Sequence, residues 1–286
     1  MKKIFSLLLL ISVIMTVCAC AESENGTSDT ATDEMTDEIT VSDDTSPATD
    51  EEPDAVTYRI LSPYGKEPYT DAKGKNDREL SPLKKTYGDI DSAKAAADKL
   101  LHYGFVVYDS QGNIAYNPCP TLKASKILYH AKINADHMRD NGYKYGDASK
   151  NPALDKTERI VSCDRFVGWT LYDAGVNTKR QPTTKGYPLH GGGNLESLLK
   201  NYGFTKITDV NDVKPGDIIF VGDSQTLAVP ADWKSYPRHV FISAGEGERS
   251  YRYDAGSDQR IQSTQPSFEN IASSGAFRFA YRANDN

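Results

Sequence analysis

The sequence predicts an α+β fold for residues 58–286 of this 286-residue chain, with N-terminal helices packed on an antiparallel sheet. Three observations predict it. Segments with helical spacing fill the first half of this stretch and β-rich runs fill the second. There is no strand–helix–strand alternation of the kind that builds a parallel sheet. The β-rich runs are short and punctuated by Gly- and Pro-containing turns. Roughly 230 residues are enough to bury a proper core. Residues 58–118 read as an N-terminal elaboration with a helix and a hairpin, and residues 119–286 as the main domain.

Residues 58–90, broken by Pro, Gly and Lys, show no clear periodicity. Ser92–His102 is the first helix. It is rich in Ala, places Ala93, Ala96, Ala97 and Leu100 on one face, has Asp91 or Ser92 to cap it, and stops at Gly104. Phe105–Tyr116 reads as a hairpin, two β-rich runs around a Gly-containing turn, ended by Pro118 and Pro120. Thr121–Asn141 is the second helix, with Leu122, Ile127, Leu128, Ala131, Ala135 and Met138 in a stripe and Gly142 closing it. Residues 141–159 are mostly turn-formers. Ser162–Ala174 is the third helix, with Phe166, Val167, Thr170 and Leu171 at helical spacing and Gly175 as its stop. Asn194–Asn201 is a short fourth. Lys214–Val221 is a Pro-Gly-Asp turn entering a buried strand. His239–Ala244, Ser250–Asp254 and Phe277–Arg282 are further strands. No internal repeat is present.

Ahead of this fold lie two segments of different composition. Lys2 and Lys3 precede Ile4–Val17, an almost unbroken apolar run of signal-peptide length, too short for a ~20-residue membrane helix. It ends in Val17-Cys18-Ala19-Cys20. Residues 21–57 then carry thirteen Asp or Glu and no Lys or Arg. Such a stretch cannot bury enough apolar surface to offset its ordering entropy, and its like charges repel, so it is expected to be an extended tether. The net charge of −7 is therefore made of −13 on the tether, +2 on the leader and +4 on residues 58–286. Mild basicity suits an anionic polymer and is far too weak to argue for nucleic acid.

Two cysteines remain outside the leader, Cys119 and Cys163, and in an extracellular protein they could pair as a disulfide. Cys163 nonetheless begins a helix, where unpaired N–H groups and the positive end of the helix dipole favour thiolate. The same N–H groups can receive the oxyanion of a tetrahedral intermediate. His239 opens a strand, placing an imidazole at the rim of a sheet. Asp254 ends the next strand, and a short turn between two antiparallel strands brings the two together. Cys163, His239 and Asp254 thus form a nucleophile, base and orienting set. His102, at a helix end, suits the dipole there. His130 and His137 are poorly spaced for joint metal binding, and His190, before Gly191–Gly193, is a backup base. No cluster has zinc spacing, and Gly191–Gly193 lacks the Gly-Lys-Ser/Thr ending of a phosphate loop, so no metal or other cofactor is expected.

With these residues in view the chain resembles the NlpC-type cell-wall cysteine peptidases, relatives of the CHAP amidases. The likeness spans about residues 135–256. Gly142-Tyr-Lys-Tyr-Gly146 is similar to the family's Gly/Tyr-rich turn, Cys163-Asp-Arg-Phe-Val to its Cys-x-x-Phe-Val helix start, Val213-Lys-Pro-Gly-Asp-Ile-Ile-Phe to its Pro-Gly-Asp strand, and His239-Val-Phe-Ile to its His-Val-x-Ile strand. Asp254 falls where a third polar residue belongs. The departures are Ser162 in place of the family's Asp before the Cys, Asp164-Arg165 in place of Ser-Gly after it, Asp254 in place of His, Asn or Gln, and an insertion at 223–237 containing Trp233 and Tyr236. The resemblance implies a papain-like fold, cleavage of amide bonds in peptidoglycan peptides, and a tyrosine that helps bind the oxyanion, Tyr145 before Tyr143. The leader's ending resembles a bacterial lipobox, which implies lipid attachment at Cys20 and a place on the outer face of the membrane, with the cell wall as partner; an ordinary cleaved signal is the alternative. Two rival functions fit the same residues. One is a non-catalytic wall-binding or partner-docking lipoprotein with Cys163 inert or joined to Cys119. The other is a transglutaminase-like acyltransferase.

Overall fold

A computed structural model describes residues 55–68, 79–145, 159–176, 194–222, 239–245, 251–255, 262–264, 271 and 273–285. The leader, Cys20, nearly all of the acidic tether, His190, Trp233 and Tyr236 lie outside the described residues. Contacts divide the chain into residues 1–51 and 52–286, and the account that follows concerns the second unit. It is α+β with antiparallel sheets.

A three-stranded antiparallel sheet comes first. Strand β1 (Tyr58–Leu61) pairs with β2 (Val106–Asp109), which pairs with β3 (Ile114–Tyr116). The hairpin turn between β2 and β3 is closed by Asp109, whose carboxylate accepts the backbone N–H groups of Gln111 and Asn113 at 2.9 and 2.8 Å. Helix α1 (Ile90–Lys99) is shorter than its sequence suggests and starts earlier. Its cap is Asp89, which accepts the Ser92 N–H at 2.7 Å, and a 3-10 turn over Leu101–Tyr103 replaces its last turn. Ala93 and Ala97 of α1 and Leu100 just after it form one buried cluster with Ile60 of β1, Val107 of β2 and Phe105 just before β2. Strand β1 is the part of this layer that sequence periodicity misses, being four residues long and flanked by Pro- and Gly-rich chain.

Helix α2 (Leu122–Asp140) is capped by Thr121, which accepts the Ala124 N–H at 3.0 Å. The Asp285 carboxylate also receives the N–H groups of Leu122 and Lys123, at 3.0 and 2.9 Å, so the end of the described chain holds the start of α2. The apolar stripe expected on α2 is buried from Ile127 to Met138, but a charged pair lies buried beside it. Lys132 Nζ donates to both oxygens of Asp136 at 2.6 Å, and the ammonium lies 5.4 Å from the Tyr103 ring centre. Two two-residue strands, β4 (Lys144–Tyr145) and β5 (Ile160–Val161), pair in parallel, and β5 leads into α3 (Cys163–Asp173). Every residue of α3 from Cys163 to Leu171 is buried, so it is a core helix on all sides, packed on α2 and on the main sheet.

After α4 (Asn194–Asn201) the chain builds a six-stranded sheet. Its strands are β6 (Thr205–Ile207), β7 (Ile218–Val221), β8 (His239–Ser243), β9 (Tyr251–Tyr253), β10 (Gln262–Thr264) and β11 (Phe277–Arg282). Their order across the sheet is β10-β9-β8-β7-β11-β6, and every pairing is antiparallel. Strand alternation divides its two faces. Ile218, Phe220, Val240, Ile242 and Tyr253 join the core with α2 and α3, while Ile219, Phe241 and Ala280 join Val210, Val213 and Ile271 on the other face.

The Pro-Gly-Asp turn fixes where β7 and β8 meet α2. Gly216 has φ +85, and a Cβ there would lie 2.7 Å from Ala124 Cβ and 2.9 Å from the Ala124 carbonyl oxygen. Only glycine lets the turn approach the helix so closely. Gly216 N–H donates to the Ser243 carbonyl at 2.7 Å and Ser243 N–H to the Asp217 carbonyl at 2.9 Å, prolonging the β7–β8 ladder past its regular end. Among the described residues no helix is long and apolar enough to cross a membrane.

Candidate active site

Cys163 is the first residue of α3, delivered there by β5. Ser162 stands at the cap position but its side chain makes no capping bond. Asp164 is the acidic residue of the first turn. Its carboxylate accepts the backbone N–H groups of Asp164 and Arg165 and bonds the Ser162 side chain. Burial pushes the Asp164 carboxyl above its ordinary range, and these bonds together with Arg165 pull the other way. Asp164 and Arg165 are both buried, although sequence spacing alone would set two consecutive charges toward water.

Beside this helix start the chain is under local strain. Arg159, just ahead of β5, has φ 47, which non-glycine residues rarely adopt. Its guanidinium donates to the Asn141 carbonyl at 2.6 Å, and its own carbonyl accepts the Lys144 N–H at 2.8 Å. These bonds hold α2's C-terminal end against the entry to α3. Tyr145 pairs with Val161, two residues before Cys163, and is 38% exposed. The Tyr143 ring packs with His137 of α2, 6.0 Å between centres. Tyr145 thus sits next to the chain that delivers the cysteine, and Tyr143 serves the packing of α2.

His239 is the first residue of β8, opposite Val221. The β8–β9 register pairs Ile242 with Tyr253, so one step on Asp254 comes opposite Phe241. Because side chains alternate, Asp254 and His239 share a face and form a diagonal pair, a separation that two polar side chains can bridge. They do bridge it: His239 Nε2 and Asp254 Oδ2 are 2.5 Å apart. Cys163 is the other hydrogen-bonding and charged neighbour of the imidazole. Burial would lower the His239 pKa, but its bonds to Asp254 and Cys163 and the charges of both overcome this and move it from 6.5 to about 9. The residues that the sequence singled out as nucleophile, base and orienting acid are therefore brought together, from the start of a helix and two neighbouring strands.

The surroundings separate this cysteine from the other. Both thiols are free. Cys119 is buried ahead of α2, and burial pushes its thiol up to about 12, opposed by a bond from Ser125. A charged neighbour that the sequence did not suggest is Arg252, whose Nε lies 3.4 Å from Asp254 Oδ2. Its spacing, two residues before Asp254 on a strand, is the signal that could have found it. Asp254 Oδ1 is buried and has no hydrogen-bond partner among the described residues. No group of three or more His, Cys, Asp or Glu among the described residues could hold a metal ion.

The arrangement can hold a thiolate against an imidazolium whose orientation a buried carboxylate fixes. No family model matches the chain, and no match is found among curated proteins or solved structures.

Proposed function

We propose that the protein is a cysteine hydrolase of papain-like fold that cleaves amide bonds in peptidoglycan peptides, working from a lipid anchor at Cys20 on the outer face of a bacterial membrane. The observation that carries the chemistry is His239 bonded to both Cys163 and Asp254. The substrate class rests on the order of four motifs, the Gly/Tyr turn, the Cys163 helix start, the Pro-Gly-Asp strand and the His239 strand, and on the mild positive charge of residues 58–286.

In this reaction His239 takes the Cys163 proton and the thiolate attacks the amide carbonyl carbon. The carbonyl oxygen becomes an oxyanion at the start of α3, where the Cys163 N–H is the natural donor and Tyr145 is the nearby side chain suited to assist. When the tetrahedral intermediate collapses, the C–N bond breaks and His239 gives the proton to the leaving amine. The thioester that remains is attacked by water, which His239 deprotonates. The carboxylic acid leaves and the thiol is restored. Asp254 keeps the imidazole oriented and stabilises its charged form throughout. Two free thiols favour this chemistry over a Cys119–Cys163 disulfide in a binding protein.

The test is alkylation of the purified protein against pH, with the label located by peptide mass. Cys163 is expected to be alkylated faster at neutral pH than an unactivated thiol, and His239→Ala to remove that advantage. Incubation with purified wall fragments is then expected to release new amino groups, and Cys163→Ala to release none. Reactivity without wall cleavage would move the proposal to another amide; an inert Cys163 would remove it.

A further inference from the structure

We propose that Arg252 is a positioning residue of this site, sharing the Asp254 carboxylate with His239 and so limiting how tightly that carboxylate holds the imidazolium. The proposal rests on the assignment of Cys163 and His239 as nucleophile and base. It starts from the register of β8 and β9. Ser243 pairs with Arg252, and Asp254 falls opposite Phe241, so His239, Phe241, Arg252 and Asp254 occupy one face at alternate positions of two paired strands. Arg252 Nε lies 3.4 Å from the same Oδ2 that bonds His239 at 2.5 Å. Both cations converge on one oxygen, while Oδ1 bonds nothing among the described residues. Phe241 stands between them, its ring centre 5.6 Å from the guanidinium carbon and 6.1 Å from the imidazole centre.

The Asp254 side chain is 1% exposed, so little water screens it from either cation. The remaining charged and titratable groups near His239 are few among the described residues. Cys163 on α3 bonds the ring, and Asp164 and Arg165 follow it on that helix. On β7 the facing residue is Val221. Beyond it, on β11, Arg278 lies against Gly222, with its guanidinium donating to the carbonyls of Gly275 and Phe277. Arg252 is thus the cation bound to the carboxylate that orients His239. A base that must return its proton to a leaving amine works poorly if it holds that proton too firmly. The bonds to Asp254 and Cys163 already raise His239 to about 9, and a second cation on the same carboxylate oxygen keeps it from rising further.

The experiment follows His239 in the full-length protein by NMR of a ¹³Cε1-labelled ring, its signal identified by its loss in His239→Ala. Arg252→Met keeps the apolar stem and removes the charge. It is expected to raise the His239 midpoint by about one pH unit, the scale of a charge within ~4–6 Å. Arg252→Lys is expected to restore the native midpoint. Arg252→Gln is measured alongside, in case the methionine variant does not fold. A midpoint that stays put or falls in the folded neutral variants overturns the proposal, as does a lysine variant that behaves like methionine. The ring titration reads Arg252 whether or not Cys163 is reactive. An inert thiol with a shifted ring would therefore count against the hydrolase assignment and not against Arg252.

Discussion

Two aspartates at opposite ends of the β7–β8–β9 ladder are both fully buried, yet they are built for different work. Asp217, where β7 begins, has both oxygens occupied. Lys214 N–H donates to Oδ2 at 2.7 Å, and Arg282 reaches Oδ1 at 3.0 Å and Oδ2 at 2.8 Å. Burial pushes its carboxyl up while Arg282 and the Lys214 N–H draw it down. Its partners are fixed, and it ties β11 to the Pro-Gly-Asp turn. Asp254, where β9 ends, uses one oxygen for two partners, one of them a histidine that can change its charge. A fully bonded buried carboxylate is a fastener. One with an idle oxygen and a titratable partner is equipped to respond to chemistry.

Exchanging the two tests the contrast. The largest effect expected is on reactivity: Asp254→Asn slows Cys163 alkylation at neutral pH by about 10²-fold, within the range usual for a lost acid–base partner. Asp217→Asn leaves the rate per folded molecule unchanged. Stability divides the other way. Asp217→Ala strands Arg282 and is expected to cost about 3–5 kcal/mol in urea unfolding, with Asp254→Ala costing less because one of its two partners, His239, can shed its proton. Equal losses from the two would erase the distinction.

The pH dependence of stability sharpens it. His239 holds its proton more tightly in the folded state. Its stabilising contribution is therefore complete below about pH 6.5 and is lost as pH rises through about 9. Urea midpoints should fall across that window in the native protein, and Asp254→Asn should flatten the fall. Gly216→Ala, which forces a Cβ onto Ala124 at a positive φ, is expected to cost about 1–3 kcal/mol. The smallest effect concerns Cys119. With its thiol near 12 it should resist alkylation under native conditions, and Cys119→Ser should leave Cys163 reactivity unchanged.

What the sequence made legible follows from how local each signal is. Helices α1 to α4, the β2–β3 hairpin and strands β7, β8, β9 and β11 carry their own caps, stripes or β-rich runs. The site was legible for the same reason. A cysteine at a helix start and two polar residues on neighbouring strands are local marks, and antiparallel pairing does the rest. Strands β1 and β6 were not legible, being three or four residues long and held by pairing to distant chain, and β10 is a three-residue strand that its sequence does not mark. The burial of Asp164 and Arg165 was hidden because α3 is enclosed on all sides, which no single stripe announces. Asp89 caps α1 ahead of the expected Asp91 or Ser92 because it stands one residue before the first helical turn, in extended conformation. Arg252 was overlooked because its role appears only once the β8–β9 register is known.

The strand order also sets a timetable. β11 is the last strand in the chain, yet it lies inside the sheet, between β7 and β6. A chain that emerges N-terminus first on the far side of a membrane can fold α2, α3 and the β7–β8–β9 ladder, with Cys163, His239 and Asp254 all present, while one side of β7 still has no neighbour. Until residues 277–282 arrive, β6 cannot join the sheet and β7 offers an open edge to any passing strand. The start of α2 waits longer still, for Asp285, 163 residues downstream of Leu122. A chain cut short before residue 277 would hold Cys163, His239 and Asp254 and be prone to aggregate.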